Sequence, residues 1–231
     1  FICTQDLKNE DYINDHFVIM CTKKGQVKKT SLEQYSRPRS NGINAITIKD
    51  DDELLEAKLT NGNSQILIAV KSGKCIRFEE NKTRPMGRNA SGVRGVRLKD
   101  QKDEVVGMIS VNDMDSDILV VSENGYGKRS KLEDYRITNR GGKGVKTISI
   151  TEKTGNLVSL KNVSDGDDLM IINKSGIAIR MEVNTLRVMG RATQGVRLIN
   201  IKDNDSIAAV AKVVLDDQEV TDIEEIDVVE D

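Results

Sequence analysis

Pairs of arginines recur in four polar loops of the chain, and arginine is the side chain best suited to holding a phosphate group. Its guanidinium forks onto two phosphate oxygens, while the Gly, Ser, Asn and Thr residues around each pair let a phosphate approach the backbone. One basic loop would be an ordinary surface feature, whereas four equivalent loops predict a phosphate-binding surface. The pairs are Arg37 and Arg39, Arg84 and Arg88, Arg136 and Arg140, and Arg187 and Arg191.

Further basic residues lie beside these loops and are candidates for the same surface. Four of them lie four residues after a glycine that precedes the loop: Lys29, Arg77, Arg129 and Arg180. The pattern leaves open whether these four residues contact phosphate or pair with an acid on an adjacent strand. The residue just before each of these four alternates between Lys and Ile along the chain, so successive loops are expected to differ in how basic their surroundings are. The full set of predicted phosphate contacts is Lys28, Lys29, Arg37, Arg39, Arg84, Arg88, Arg94, Lys128, Arg129, Arg136, Arg140, Lys143, Lys146, Arg187, Arg191 and Arg197.

The loops belong to a repeat that occurs four times. Each copy opens with an apolar strand, turns through a glycine and continues into a second strand; the turn glycines Gly25, Gly73, Gly125 and Gly176 are 48, 52 and 51 residues apart. A polar residue before each glycine, together with the positive φ that glycine tolerates, indicates a tight hairpin.

A second glycine in each copy, Gly42, Gly92, Gly144 or Gly195, opens a segment of alternating apolar and polar residues. This pattern predicts a third strand, at residues 43–48, 93–98, 145–150 and 196–201, and a fourth strand follows an acidic turn, as at 104–111 and 206–213. Four short strands per repeat, without a long amphipathic helix, predict an all-β fold: a β-propeller or β-pinwheel of four-stranded antiparallel blades. The chain has no Trp, which excludes the Trp-Asp repeat of WD40 propellers.

The repeat also predicts how the chain is divided. Residues 16–64, 65–116, 117–167 and 168–215 are four complete repeats, preceded at 1–15 by the end of another blade and a linker, and followed at 216–231 by an acidic, disordered tail. That tail contains nine acids and no Lys or Arg. The net charge of the whole chain is −2, but the 35 basic and 28 acidic residues outside the tail give +7. A basic body with an acidic tail predicts a polyanion-binding surface and a segment that competes for it.

The composition disfavours catalysis and metal binding by this chain. A single histidine, His16, and three cysteines without a Cys-x-x-Cys motif cannot supply a triad or a zinc site, so we expect no catalytic residues, no metal ligands and no cofactor. Cys3, Cys21 and Cys75 adjoin apolar segments, as reduced core cysteines of a cytoplasmic protein do. No apolar run is long enough to span a bilayer.

Aromatic residues make up only 3% of the chain, which favours double-stranded over single-stranded nucleic acid, because single-strand binding relies on stacking. Tyr35 and Tyr135 occupy equivalent positions before the loops and are interpreted as packing residues. Binding through phosphates would carry little sequence information beyond the deformability of the DNA.

Three segments carry a resemblance to a known family. They are Arg84-Pro-Met-Gly-Arg-Asn-Ala-Ser-Gly-Val-Arg-Gly-Val-Arg-Leu98, Glu123-Asn-Gly-Tyr-Gly-Lys-Arg129 and Val188-Met-Gly-Arg-Ala-Thr-Gln-Gly-Val196. The chain resembles, over residues 1–215, the C-terminal domain of the gyrase A protein, which is part of DNA gyrase, the bacterial type IIA topoisomerase. The family's signature box, Gln-Arg-Arg-Gly-Gly-Lys-Gly, has only a partial match, in Thr138-Asn-Arg-Gly-Gly-Lys-Gly144.

The resemblance implies a pinwheel of about six blades that exchange strands with their neighbours, of which four are complete here. It implies DNA wrapping around the outer rim in support of ATP-dependent supercoiling, with the rest of gyrase A and with gyrase B as partners, and with ATP and Mg²⁺ used by those other parts. It also implies a location in the bacterial cytoplasm, on the nucleoid. The alternatives are the equivalent domain of topoisomerase IV and a protein-interaction propeller that does not bind DNA.

Overall fold

The computed structural model describes residue 4 and residues 7–202 and 205–213, which form four antiparallel β-sheets. Each sheet contains a hairpin of two short strands and a seven-residue strand that follows later in the chain. The hairpin strands have six residues each, except the last, which has five. The hairpin strands are β1 (Phe17–Thr22) and β2 (Gln26–Ser31), β4 (Gln65–Val70) and β5 (Lys74–Glu79), β8 (Asp117–Ser122) and β9 (Tyr126–Lys131), and β12 (Asp168–Asn173) and β13 (Ala178–Glu182). The seven-residue strands are β3 (Leu54–Thr60), β7 (Val105–Val111), β11 (Leu157–Val163) and β15 (Ile207–Val213).

The four predicted hairpins are confirmed. All four turn glycines have positive φ, between 78° at Gly125 and 88° at Gly176, a conformation that other residues rarely adopt. The long strand of each repeat pairs with the first hairpin strand on its other side, as β3 pairs with β1. A short 3₁₀ helix follows each hairpin, at Leu32–Tyr35, Glu80–Lys82, Leu132–Asp134 and Val183–Thr185.

The third strand differs from the sequence prediction in length and in partner. It is only two residues long, at β6 (Val93–Arg94), β10 (Val145–Lys146) and β14 (Val196–Arg197), and residues 43–48 form no strand. Each of the three pairs with the second hairpin strand of the preceding repeat, as Val93 pairs with Val27 of β2. The strand exchange implied by the family resemblance is therefore present.

The resulting strand orders are β3-β1-β2-β6, β10-β5-β4-β7, β11-β8-β9-β14 and, in the last sheet, β13-β12-β15. The sheets stack face to face in chain order, because each of three hydrophobic clusters joins two consecutive sheets. Leu67 of the second sheet, for example, packs in one cluster with Val120 of the third. Stacking buries faces that a single sheet would leave in water, so the all-β blade architecture is confirmed.

Other predictions concern the ends of the chain and the cysteines. Within the predicted linker, Glu10–Asp15 forms a helix, α1, capped by the Asn9 side chain; its Ile13 is buried against the first sheet. Cys21 and Cys75 are free and buried, as expected. The first three residues of the predicted blade end, with Cys3, and the acidic segment 216–231 lie outside the described residues.

Candidate nucleic-acid interface

The basic loops of the second, third and fourth repeats are each attached at both ends to the preceding sheet. Near its start, each loop makes a backbone bridge to that sheet's second hairpin strand: Pro85 to Lys29, Ile137 to Arg77, and Val188 to Arg129. Near its end, the two-residue strand pairs with the same hairpin strand. The backbone of these loops is therefore fixed on the outer edge of the neighbouring sheet.

Glycine is required where the loop returns to that edge. At Gly92, with φ of +89°, a Cβ atom would lie 2.6 Å from the carbonyl oxygen of Val27. At Gly195, with φ of +83°, it would lie 2.5 Å from the carbonyl oxygen of Gly127. The second glycine of the repeat thus permits both the backbone conformation and the close approach of two chain segments.

Consecutive loops also contact one another. Thr47 in the first loop donates through Oγ1 to the carbonyl of Asn89 at 2.7 Å. The amide of Gly141 donates to the carbonyl of Gly95 at 2.6 Å, and that of Ser149 to the carbonyl of Thr193 at 3.1 Å. We call the four connected segments, residues 36–48, 84–97, 136–149 and 187–200, the loop band.

Nine of the sixteen predicted contacts are exposed on this band. None of the nine forms a salt bridge within the part of the chain that the structure describes. Their charge is therefore not neutralised by ion pairs within the described residues, and consecutive loops place it along one edge of the stacked sheets. The nine are Arg37, Arg39, Arg84, Arg94, Arg136, Lys143, Lys146, Arg187 and Arg197.

The second arginine of each later pair is half-buried, and in two of the three its side chain connects adjacent loops. Arg140 donates through Nε to the carbonyl of Lys82 at 2.9 Å and through Nη1 to that of Arg94 at 3.1 Å. Arg191 donates through Nη1 to the carbonyl of Lys146 at 2.8 Å. A guanidinium has five N–H donors, so these arginines can tie adjacent loops together and still offer donors to a ligand. Arg88 is likewise half-buried.

Four of the predicted contacts do not lie on the surface. Lys28, Lys29, Lys128 and Arg129 are buried, with at most 8% of their surface exposed. Lys29 forms an ion pair with the buried Glu80 at 3.3 Å. Arg129 pairs with Asp117 at 3.7 Å and with Asp165. Lys29 and Arg129 thus pair with acids of the protein, and Arg180 likewise pairs with Asp168 at 2.6 Å. Arg77 instead donates to the carbonyls of Leu132 and Tyr135 and has no acidic partner among the described residues.

Lys28 and Lys128 instead hold loops of the band. The ammonium of Lys28 donates to the carbonyls of Ala45 and Arg88, and that of Lys128 donates to the carbonyl of Gly190 at 2.5 Å. Burial lowers the pKa of both lysines from 10.5 to about 8, and the charge of Arg88 adds to the effect at Lys28. Sequence reasoning missed this role, although the signal was present: the equivalent residues of the other copies, Ile76 and Ile179, are apolar.

A second cationic feature also escaped sequence reasoning. A cleft of about 600 Å³ next to the band is lined by Lys71, Lys99, Lys102 and Lys146, together with Asp100 and Asp103. Its lysines come from the hairpin and from the turn before β7, two segments that the repeat pattern did not associate with the loops. Lys146 belongs to both the cleft and the band, so the cationic surface extends sideways from the loops.

The single histidine and the buried tyrosine both make contacts within the protein. His16 is half-buried, and its Nδ1 lies 2.7 Å from the carbonyl oxygen of Tyr12. No group of three or more His, Cys, Asp or Glu residues in the described part could hold a metal ion. Tyr135 is fully buried with its hydroxyl 2.6 Å from Thr147 Oγ1, which confirms its packing role. No described helix is long and apolar enough to cross a membrane.

Comparisons with known proteins agree with this architecture. The chain is 45% identical over 232 residues to the DNA gyrase A protein of Staphylococcus aureus (strain MRSA252), a match that covers all of this chain and 26% of that protein. Two solved structures share the fold: the C-terminal domain of DNA topoisomerase IV (TM-score 0.83, 23% identity, 89% of this chain and 64% of that chain) and that of DNA gyrase A (TM-score 0.77, 25% identity, 89% and 68%).

The chain therefore spans about a quarter of the length of its curated relative. The family described as DNA gyrase C-terminal domain, beta-propeller, matches residues 16–61, 65–112, 116–164 and 167–213, each of which contains one hairpin and its long strand. Since these matches cover most of the chain and coincide with the four stacked sheets, the chain belongs to the DNA gyrase C-terminal β-propeller family.

Proposed function

We propose that this chain binds double-stranded DNA without sequence specificity and bends it around the loop band. The observation that supports this proposal is the continuity of the band: hydrogen bonds connect loops that carry ten exposed basic residues, the nine predicted ones and Arg97, without an acidic partner among the described residues. A duplex presents a regular row of phosphates, and a regular row of cations is its natural complement. An isolated basic patch could bind a single phosphate group but could not hold a long duplex along a defined path.

The chemistry of the band favours the duplex backbone. Arginines and lysines dominate its exposed side chains, and the two tyrosines beside it, Tyr35 and Tyr135, are half-buried and buried. The bases of a single strand would find no aromatic platform among the described residues of the band. These residues also form no helix that could enter a major groove, so most contacts would be made to phosphate and sugar.

The arrangement of the sheets supports bending. Each of the three later loops lies on the sheet before its own, and the sheets stack in chain order, so the loops follow one another along a single edge. A duplex that contacts several loops must follow the path of that edge. The cost of bending is met by the additional phosphate contacts.

We place this activity within the holoenzyme that the family membership indicates. The chain would supply DNA wrapping, while the rest of gyrase A together with gyrase B, using ATP and Mg²⁺, would carry out strand passage and supercoiling in the bacterial cytoplasm. By itself the chain would not be an enzyme. The equivalent role in topoisomerase IV is the second candidate, favoured by the TM-score of 0.83 to that enzyme's C-terminal domain.

The acidic segment 216–231 is proposed to compete with DNA for the band, because its nine acids are complementary to the band's charge. Removal of this segment should raise the affinity for duplex DNA. Unchanged affinity after the deletion would contradict the competition without affecting the proposed role of the band.

A salt titration tests the proposed DNA binding. The logarithm of the affinity for a duplex should fall linearly with the logarithm of the salt concentration, and the variant R136Q/R187Q should reduce that slope by about 1.8, or about 0.9 per lost phosphate contact. The matched control is K58Q/K161Q, because Lys58 and Lys161 lie on β3 and β11, at the opposite edge of their sheets. Equal slopes for the two variants would contradict the proposal and favour a protein-interaction propeller.

A further inference from the structure

Three loops of the band expose an apolar side chain at the same structural position. Pro85, Ile137 and Val188 each follow the first arginine of the loop directly, and each makes the backbone bridge to the preceding sheet. Ile137 is 48% exposed and Val188 39%, and Pro85 is also exposed. The first loop carries the same pair of residue types, as Arg37-Pro38, with Pro38 exposed.

Packing within the protein does not explain these residues. A single exposed apolar residue is ordinary, but three at equivalent positions of otherwise polar loops form a pattern. The bridge at each position involves backbone atoms, so it does not require an apolar side chain. Half-exposed side chains also add little to the core. Their recurrence therefore points to a ligand outside the chain.

The backbone holds these side chains firmly. The amide of the next residue, Met86, Thr138 or Met189, donates to the carbonyl of Lys29, Arg77 or Arg129, at 2.7, 2.9 and 2.9 Å. Each apolar side chain is thus fixed between the two arginines of its loop, one directly before it and one three residues after it. A rigid apolar group flanked by phosphate-binding groups has the composition of a DNA wedge.

We propose that Pro85, Ile137 and Val188 are wedges that enter the minor groove of the bound duplex and partly unstack one base step each. This inference rests on the proposed DNA binding and adds a means of localising the bend. Apolar wedges kink a duplex where they open a step, and the kink lets more of the DNA reach the protein. The arginines hold the phosphates on either side of the kink.

A preference for particular steps follows from this mechanism. TpA and CpA steps unstack at the lowest cost, so wedges at several loops would favour DNA in which such steps recur once per helical turn. The preference would arise without any hydrogen bond to a base. It would also be independent of salt, because opening a step neutralises no additional phosphate.

The test uses a duplex in which 2-aminopurine lies beside TpA steps spaced one helical turn apart, because the fluorescence of this base rises when it unstacks. Wild-type protein should raise the fluorescence, and I137T/V188T should lose roughly two-thirds of the rise, since it removes two of three wedges. The salt slope of binding should not change. I177T is the matched control, because Ile177 is 49% exposed in the β12–β13 turn, outside the band.

The conservative variant I137L/V188I should restore the signal, which separates the wedge from a general loss of loop structure. The wedge is overturned if wild-type protein binds the duplex with a normal salt slope but leaves the fluorescence unchanged, or if I137T/V188T gives the full rise. In both cases the proposed DNA binding would stand. Absence of salt-dependent binding by the wild type would instead overturn both proposals.

Discussion

The first loop of the band and the three later loops share a sequence pattern but differ in structure. In the later loops, a two-residue strand pairs with the preceding sheet, and the second glycine packs there. In the first loop, no atom lies within 4 Å of a Cβ built on Gly42, and residues 43–48 form no strand. Among the described residues, no hairpin of an earlier repeat precedes this loop.

The difference shows that a loop of this repeat acquires its shape from the sheet before it. The local sequence supplies the glycine and the arginines, but the fixed geometry comes from the hairpin strand of the neighbouring repeat. That strand supplies both an edge for pairing and a buried cation, such as Lys28, Lys29, Lys128 or Arg129. Lys28, Lys29 and Lys128 thus connect consecutive repeats, whereas Arg129 pairs with acids of its own repeat.

The largest effect is expected from breaking one of these connections. In K29M, the buried Glu80 loses its cation, although Thr60 and the amide of Ser64 still donate to it. An unpaired buried carboxylate should lower the free energy of unfolding by about 3–5 kcal/mol. Chemical denaturation measures this loss. K23M should cost less than about 1 kcal/mol, because Lys23 and Glu53 form an exposed pair.

The second effect compares the two kinds of loop directly. G92A combines an unfavourable φ with a collision against the carbonyl of Val27, and we expect a loss of about 3 kcal/mol. G42A has a similar φ of +77° but open space around it, so we expect a loss of about 1 kcal/mol. Thermal unfolding of the two variants and of the wild type measures the two losses of stability. Equal losses would show that the first loop is also docked.

A smaller, pH-dependent effect should come from Lys28 and Lys128. Their pKa is about 8 in the folded protein and 10.5 ordinarily, so between these values the unfolded chain binds more protons than the folded one. Stability should therefore rise with pH across this window, and K28M/K128M should lack that rise. Thermal unfolding at about pH 7.5 and about pH 9.5, on either side of the folded-state pKa, measures the difference. A parallel response of both proteins would mean that the two lysines are not buried.

The smallest effect concerns DNA binding by the first loop. Arg37 and Arg39 are exposed on a loop that forms no strand pairing among the described residues. Its contacts with β2 and with the second loop, at Ala45 and Thr47, lie beyond Gly42, so contact with DNA would have to order the segment that carries the two arginines. R37Q/R39Q should therefore change the salt slope by less than the value of about 1.8 expected for R136Q/R187Q. A change as large as that one would indicate that docking is unimportant for phosphate contact.

Some features of these loops could be predicted from the sequence and others could not. The hairpins could be predicted because Gly25, Gly73, Gly125 and Gly176 determine a local turn, and the exposed arginines could be predicted because polar loops stay in water. The burial of Lys28 and Lys128 was missed, although the apolar residues at the equivalent positions of the other repeats indicated it, because the residues that cover the two lysines lie far along the chain. The third strand was predicted too long because its pairing with the neighbouring sheet ends after two residues.

The central claim is that the loop band bends DNA along one edge of the stacked sheets. It is tested most directly by closing a relaxed plasmid with ligase in the presence of this chain and then measuring the linking number after the protein is removed. With the DNA wrapping that the family resemblance implies, the claim predicts a shift of the linking number that grows with protein concentration and is lost in R136Q/R187Q but kept in K58Q/K161Q. An unshifted topoisomer distribution under conditions where the duplex is bound would contradict it.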